Sequence, residues 1–281
     1  MENSSPSKQV DRALVCVGAG QFDHNALKFT KDFVEAMNLL PVIFHASASG
    51  LPNDETDRLL AEVREILGME DVELKAVQGN VKAAISTELD RQEYKVIILG
   101  TTSREPELQP TRLSQDIANQ VAVSALLMRN PPQEVKKILV CTGGHSASNL
   151  AISWSILLAK ATEEEVTILH VVSSAPTMYT GLQALEEDLS ELLSRDIPLA
   201  HHLKDAAALA EKEGVHANLE LRHGLVIEEI LRSSDVYPHR LVVLGAPSSH
   251  KIINRLLRGR IAPKLLASTH RSILIVRGEP H

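Results

Sequence analysis

The sequence predicts two tandem α/β domains, each a five-stranded parallel sheet flanked by helices in a doubly wound arrangement. Three observations lead to this fold class: an internal repeat, a regular alternation of apolar runs with amphipathic stretches, and the length of the chain. The 281 residues allow about 140 residues for each domain, enough for each to bury its own core.

The internal repeat is the strongest of the three observations. Ala13–Gly20 reads ALVCVGAG, and Ile138–His145 reads ILVCTGGH. In each copy the cysteine is followed 29 residues later by a histidine, His45 or His170. Further on, each copy has a pair of glycines spaced 21 residues apart, the second of which ends an apolar run. A repeat this long exceeds a solenoid unit, so it indicates two whole domains of one fold.

Ten short apolar runs, five in each copy, predict the strands. They are Ala13–Val17, Pro41–Phe44, Val72–Val77, Val96–Leu99, Ala125–Met128, Ile138–Cys141, Val166–Val172, Ala217–Leu221, Leu241–Leu244 and Ile273–Val276. Most lack period-two alternation, which is typical of parallel strands covered on both faces. Helical patterns lie between them, at Asn25–Met37, Glu55–Leu67, Val81–Asp90, Ser148–Ala161, Leu182–Glu213, Val226–Ser233 and Ile261–Ser268. Alternating strands and helices predict doubly wound domains.

The predicted boundary between the domains is a short proline segment. Asn130-Pro131-Pro132-Gln133 cannot continue the preceding strand, so the domains are expected at residues 1–132 and 133–281. A single continuous sheet, or two halves that cannot be superimposed, would contradict the duplication. The second copy is longer mainly between Ser173 and Gly214, where Pro198 should break the helical stretch. This stretch is interpreted as a solvated helix face, with a partner-binding lid as the alternative.

Composition and charge exclude several classes of function. The net charge is −7, and no basic run with interleaved aromatic residues is present, so nucleic-acid binding is not expected. No apolar run approaches the roughly 20 residues of a membrane span. Met1–Val10 is polar and is not a secretory signal, which predicts a cytoplasmic protein.

Neither catalysis nor metal binding is indicated by the reactive residue types. Cys16 and Cys141 occupy equivalent strand positions and are interpreted as small buried residues. His45 and His170 are interpreted as satisfied strand-end histidines. The pair at 201 and 202 is expected to be exposed, and no cysteine–histidine spacing suggests zinc. The chain is therefore predicted to contain no catalytic residue and no metal site.

A ligand site is expected where the first and fourth strands of a domain end. Ligands of open parallel sheets bind beyond the carboxyl ends of the strands, where strand order reverses. In the second copy these ends carry Gly143, Gly144 and Gly245, and glycine permits close approach of a ligand to the backbone. The helix at Ile261–Ser268 follows Arg258-Gly259-Arg260, and its first amides could receive an anion.

On these residues the chain resembles the universal stress protein family, over nearly its whole length and twice. The resemblance implies a Rossmann-like fold of the adenine nucleotide alpha hydrolase type. ATP-binding members hold adenine near the ends of the first two strands and phosphates on a glycine loop, whereas other members bind no ATP. Carried over to the second copy, adenine would lie near Gly143, Gly144 and Val171. The phosphate positions would be Gly245, Ser248, Ser249, Gly259 and Arg260.

The sequence departs from the family pattern at several of these positions. The acidic residue after the first strand is replaced by Gly18 in copy 1 and Gly143 in copy 2. Arg260 stands where serine or threonine is usual, and a serine, Ser248 or Ser249, replaces the second loop glycine. In copy 1 the corresponding loop, Thr101–Arg112, contains carboxylates and no glycine. Copy 1 is therefore predicted to have lost nucleotide binding, and copy 2 to retain a partial site.

These observations support two functions of different class, with a nucleotide hydrolase as a third and weaker hypothesis. The first is a non-catalytic stress-response protein that senses ATP, another adenine nucleotide or another phosphorylated ligand through domain 2. The alternative is a ligand-independent scaffold in which both sites are degenerate. The resemblance also implies pairing of the last strands, Ala125–Met128 and Ile273–Val276, within one chain as a pseudo-dimer. Whether the chain also forms a homodimer, and which protein partner it binds, are left open by the sequence.

Overall fold

The computed structural model describes most of the chain in ten ranges. These are residues 11–18, 24–47, 53–69, 72–100, 112–129, 135–144, 146–173, 188–236, 238–246 and 261–278. The N-terminal half is defined as the part that contains strands β1 to β5, and the C-terminal half as the part that contains β6 to β10.

Strands and helices alternate in both halves. The N-terminal half comprises β1 (Arg12–Val17), α1 (His24–Ala36), β2 (Leu40–Ser47), α2 (Asn53–Leu67), β3 (Glu73–Gln78), α3 (Val81–Arg91), β4 (Val96–Leu99), α4 (Arg112–Gln120) and β5 (Ser124–Leu127). The C-terminal half comprises β6 (Lys137–Thr142), α5 (Ser146–Thr162), β7 (Glu165–Ser173), α6 (Leu189–Ser194), α7 (Pro198–Lys212), β8 (Ala217–Gly224), α8 (Val226–Val236), β9 (Leu241–Ala246), α9 (Ile261–Ser268) and β10 (Ser272–Arg277). All ten predicted strands are confirmed.

All ten strands belong to one sheet, in the order β3-β2-β1-β4-β5-β10-β9-β6-β7-β8. The expectation of two separate sheets is therefore wrong. The two sets of five strands are each parallel, and they join where β5 pairs antiparallel with β10, Leu126 facing Leu274. Edge strands expose unpaired backbone groups, and pairing the two edges satisfies those groups and makes the sheet continuous. A continuous sheet therefore does not contradict the duplication, because pairing of the last strand of each half, which the sequence also predicted, joins two five-stranded sheets into one.

The strand registers support the duplication independently. Each half has its strands in the order third, second, first, fourth, fifth. The pair Ala13–Val96 of β1 and β4 recurs as Ile138–Leu241 in β6 and β9, a shift of 125 residues in one strand and 145 in the other. The pair Val96–Ser124 recurs as Leu241–Ser272, so the last strand is shifted by 148 residues. The same hydrogen-bonded backbone plan has been built twice.

Reciprocal contacts of a serine and an arginine hold the two last strands together; we call them the Ser–Arg clasps. The backbone amide of Arg277 donates to Ser124 Oγ, and that of Arg129 donates to Ser272 Oγ, both over 3.0 Å. The guanidinium of Arg277 donates to the carbonyl of Ala118 in α4, and Arg129 donates to the carbonyl of Leu266 in α9. Each arginine thus reaches the last helix of the other half. Cations near the C-terminal ends of helices interact favourably with the helix dipole.

Helices α1 and α5 also pack the halves against each other, on one face of the sheet. The ring of Trp154 lies 6.2 Å from that of Phe33, measured between centroids. The guanidinium of Arg240 lies 4.2 Å from the centre of the Phe29 ring and pairs with Glu164, which is buried. A single core cluster on this face contains residues of both halves. The two predicted domains are therefore joined through shared packing as well as through the sheet.

The two outer strands differ in how they are covered. Strand β3 is mostly exposed, including Leu74 and Val77, contrary to the expectation of strands covered on both faces. Strand β8 at the opposite edge is half-buried under α7 and α8. Helix α7 begins at Pro198, where the sequence predicted a break, and buries an alanine and leucine face. Residues 198–212 of the longer stretch thus form the crossover helix that covers β8, whereas residues 174–187 of that stretch lie outside the described residues.

Candidate functional site

The register brings Gly143, Val171 and Gly245 to the same end of three neighbouring strands, within one residue of a common row. Thr142, the last residue of β6, pairs with His170 of β7, so Gly143 is next to Val171. On the other side, Cys141 of β6 pairs with Leu244 of β9, which puts Gly245 beside the end of β6. This is the point at which strand order reverses in the C-terminal half, where ligands of open α/β sheets bind. The predicted position of the site is therefore consistent with the observed topology.

Thr142 connects three groups at the end of β6. Its carbonyl oxygen lies 2.9 Å from Nδ1 of His170, and because a carbonyl only accepts, Nδ1 carries the proton. Its hydroxyl oxygen accepts from the amide of Gly144 over 3.0 Å and lies 2.6 Å from Nε2 of His202 in α7. Thr142 itself is buried. The prediction that His202 is exposed is therefore wrong, because α7 folds over the strand end, whereas its neighbour His201 is exposed and pairs with Asp196.

The two glycines after β6 differ in conformation and environment. Gly143 is exposed and its amide donates to the hydroxyl of Ser148 over 3.2 Å. Gly144 has φ +74°, and a Cβ at this position would lie 2.9 Å from Leu199 Cδ1 of α7. Gly144 is therefore required by the turn and by the close approach of α7. Gly143 does not have a positive φ and is exposed at the carboxyl edge of the sheet.

The corresponding edge of the N-terminal half is built in the same way with different side chains. Nδ1 of His45 donates to the carbonyl of Val17 over 3.0 Å, as His170 does to Thr142. Nδ1 of each strand-end histidine is thus bonded to the preceding strand, but Nε2 of His45 is buried without a hydrogen-bond partner, so the prediction of a satisfied histidine holds for His45 at Nδ1 only. Val17 has no hydroxyl, so the contact between Thr142 and a helix histidine has no counterpart there. Gly100, at the end of β4, has φ +84° and lies tightly against the carbonyl of Met128.

Four predicted phosphate positions lie outside the described residues. They are Ser248, Ser249, Gly259 and Arg260. The carboxylate-bearing loop of copy 1, Thr101–Arg112, also lies outside except for its last residue. The described part of the site therefore comprises Gly143, Gly144, Val171 and Gly245, which sequence reasoning predicted, and Thr142, Ser148, Leu199 and His202, which it missed. A polar Thr142 where copy 1 has Val17 was a readable signal, whereas the contacts of α7 depend on tertiary packing.

The described groups at this edge include thiols, backbone amides and a hydroxyl–imidazole pair. Burial raises the pKa of the Cys141 thiol, and likewise that of Cys16, so both stay protonated at neutral pH. Over the ten described ranges, no group of three or more histidine, cysteine or acidic side chains could hold a metal ion. No helix in those ranges has both the length and the apolar character to cross a membrane. What the edge offers is an exposed glycine backbone, half-buried Val171 and a hydroxyl–imidazole pair.

Comparisons with known proteins agree with the fold. The model of the universal stress protein family matches residues 134–277, just over half of the chain. A universal stress protein of Methanocaldococcus jannaschii is 28% identical over 151 residues, which cover 54% of this chain and 87% of the relative. A crystal structure from Pseudomonas aeruginosa UCBPP-PA14, provisionally described as a universal stress protein, covers 95% of this chain and 93% of its own, at 16% identity and TM-score 0.67.

A crystal structure of a universal stress protein from Archaeoglobus fulgidus DSM 4304 covers 94% of this chain and 98% of its own, at 12% identity and TM-score 0.61. Likeness at such low identity shows the fold alone, but it extends over both halves. The family model matches the half in which the glycine turn after β6 and the row Gly143, Val171 and Gly245 are found. The chain belongs to the universal stress protein family.

Proposed function

We propose that this protein is a non-catalytic stress-response protein that senses an adenine nucleotide, or another phosphorylated ligand, through its C-terminal half. The observation that carries the proposal is the exposed Gly143, set between Val171 and Gly245 at the switch point of the sheet. An adenine ring needs an apolar wall and an approachable backbone, and Val171 with Gly143 offers both.

Phosphate contacts are proposed at Gly245, Ser248, Ser249, Gly259 and Arg260, by resemblance to the family. Gly245 is half-buried at the end of β9. Arg260 precedes α9, whose first amides favour an anion. The missing acidic residue at Gly143 favours a ligand held mainly through its phosphates and its apolar ring.

The test is to denature the purified protein and analyse the released small molecules, then to measure binding of ATP, AMP and cyclic AMP by calorimetry. Near-stoichiometric release, or binding that raises Tm through linkage, is the expected result. Gly259→Asp should abolish binding while the far-ultraviolet circular dichroism spectrum stays the same. Binding that survives this change would place the phosphates elsewhere. Phosphate release from ATP at a rate above that of this variant would contradict the non-catalytic role.

The second candidate is the ligand-independent scaffold, which one observation favours. The amides of Gly143 and Gly144 already donate within the protein, to Ser148 and Thr142, so neither is free for an anion. Leu199 also covers Gly144. If neither released ligand nor a Tm shift is found with any of the three nucleotides, this function replaces the first.

A further inference from the structure

A groove of about 280 Å³ lies between α3 and α4 of the N-terminal half, away from the carboxyl edge of the sheet. About half of its lining is apolar, including Ile85, Leu89, Ile117, Val121 and Val123, and polar side chains line the rest. Its charged side chains are Lys82 and Asp90, and Asp90 is exposed. The groove therefore combines an apolar wall with a carboxylate near one end.

The duplicated half shows what belongs in such a groove. By the register shifts, Asp90 of α3 corresponds to Asp235 of α8, and Val123 before β5 corresponds to Arg271 before β10. Arg271 Nη2 lies 3.8 Å from Asp235 Oδ1, and the Arg271 side chain is only 21% exposed. This side chain begins at the counterpart of Val123 and ends at the counterpart of Asp90. It therefore spans the space that is open in the N-terminal half.

Val123 is too short to make the same contact, so no side chain of the described ranges takes the place in this groove that Arg271 takes in the other half. The ion pairs recorded among the described residues include none for Asp90. Lys82 also lines the groove, but it lies eight residues earlier on α3, about 12 Å along the helix axis. The negative end of the groove is thus available to a cation from outside.

A cation of the protein itself, Arg277, lies near the floor of the groove, and it leaves room for a cation from outside. Arg277 donates to the carbonyl of Val123 over 2.9 Å. Its counterpart is Arg129, whose strand β5 pairs antiparallel with β10, so that Arg129 lies close to Arg271. The C-terminal half accommodates both cations, and the same arrangement can therefore be accommodated in the N-terminal half.

We propose that this groove is a docking site for an arginine side chain of a partner protein. The aliphatic stem packs on Ile85, Leu89 and Val121, and the guanidinium reaches Asp90. Arginine suits this site because its guanidinium is weakly hydrated and its stem covers apolar surface while the charge stays near water. The partner segment is one that presents an exposed arginine, as Arg271 is presented by this chain itself.

The test is a titration of the full-length, isotope-labelled protein with a capped Gly-Arg-Gly peptide, followed by backbone amide chemical shifts. The expected result is a set of saturable shifts confined to residues 85–90 and 117–123. A capped peptide with citrulline, which keeps the shape and lacks the charge, should bind at least fivefold more weakly. Equal binding of the two peptides, or shifts outside the groove, would overturn the proposal.

Two variants, each with a matched control, make the test specific. Val123→Arg copies the C-terminal half, so it should fill the groove and abolish the shifts, whereas Val123→Leu should retain them. Asp90→Asn should weaken the arginine peptide at least fivefold, and its counterpart Asp235→Asn should leave binding unchanged. An unaltered amide spectrum outside the groove verifies folding. Binding that persists in both Val123→Arg and Asp90→Asn would contradict the assignment.

Discussion

The two halves of this chain agree in the pairing of their backbones and differ in side chains at the ends and outer edges of the strands. Strand order, register and the histidine bond to the end of the first strand recur in both. The differences lie at Val17 against Thr142, at Val123 against Arg271, and in the cover of the outer strands. Backbone hydrogen bonding constrains the first set, whereas the side chains of the second set can change without altering the pairing of the strands. Functional differences between the halves are therefore expected at these edges.

The largest loss of stability is expected when the packing that joins the two halves is disrupted. Trp154→Ala should lower the free energy of unfolding by about 4 kcal/mol, because a buried ring in contact with Phe33 of the other half is removed. Urea unfolding measures the loss, and hydrogen exchange should show faster exchange in α1 as well as in α5. Leu157→Ala, at an exposed position of the same helix, is the control and should cost little. If α1 keeps its protection, the halves are independent domains.

The two Ser–Arg clasps should respond unequally to the same change. Arg277 donates to the carbonyls of both Val123 and Ala118, so Arg277→Met leaves two partly buried acceptors unpaired and should cost about 3 kcal/mol. Arg129 donates to one carbonyl of α9, and its Nε and Nη1 are buried without a partner. Burial lowers the pKa of each arginine to about 10.

Arg129→Met should therefore cost about 1 kcal/mol or less, because an apolar residue relieves a poorly compensated buried cation. The urea midpoints of the two variants, measured side by side, decide the point. Equal losses would show that the clasps are energetically symmetric despite their different hydrogen bonds.

Introducing a carboxylate after the first strand of each half should distinguish a functional ligand site from a degenerate one. Gly143→Asp supplies the acidic residue that the family pattern has after the first strand, and one added hydrogen bond should raise adenine nucleotide affinity about tenfold. Gly18→Asp makes the same change in the N-terminal half and should have no effect. Calorimetric titration of both variants with ATP is the measurement. A gain in the Gly18→Asp variant would show that the N-terminal site has not been lost.

The smallest expected effect is a contrast in pH dependence. Burial alone would raise the pKa of Glu88, but hydrogen bonds from Lys75 and Tyr94 lower it below the usual value of 4.5. Its contribution to stability is present above the unfolded-state pKa and is lost as pH falls through the lower folded-state value. Glu88→Gln should therefore flatten the acid side of the stability profile, by less than about 1 kcal/mol.

Glu164 in the C-terminal half should behave in the opposite sense. Burial raises its pKa above 4.5, although Arg240 opposes the rise. The folded state then binds the proton more tightly, so stability falls as pH rises from 4.5 through the higher folded-state value. Glu164→Gln should remove that fall. Urea midpoints measured from about pH 3 to pH 7 test both variants. If the pH dependence of the midpoint in both variants matched that of the wild type, these assignments would be contradicted.

Local pattern predicted the strands, the helix break at Pro198 and the strand-end positions of His45 and His170, because these depend on periodicity and spacing. It missed α4, whose sequence is polar and buries only Ile117 and Ala118. It also missed the clasps, although SALLMR and SILIVR repeat the same serine and arginine at the last strands. That signal was readable, but its meaning depends on which edges pair.

The candidate site could be predicted only in part. The end of β6 and its glycines are determined by sheet topology, so Gly143, Val171 and Gly245 were placed together correctly. The cover from α7 could not be predicted, because Leu199 and His202 are more than 50 residues from Thr142 and meet it only through packing.

Methyl–methyl nuclear Overhauser effects between β5 and β10 test the pairing of the duplicated halves most directly. In protein labelled at its isoleucine, leucine and valine methyl groups, contacts are predicted between Leu126 and Leu274 and between Leu127 and Ile273, the antiparallel register, independent of protein concentration. Their absence, or their appearance only as concentration rises, would show that the last strands do not pair within one chain.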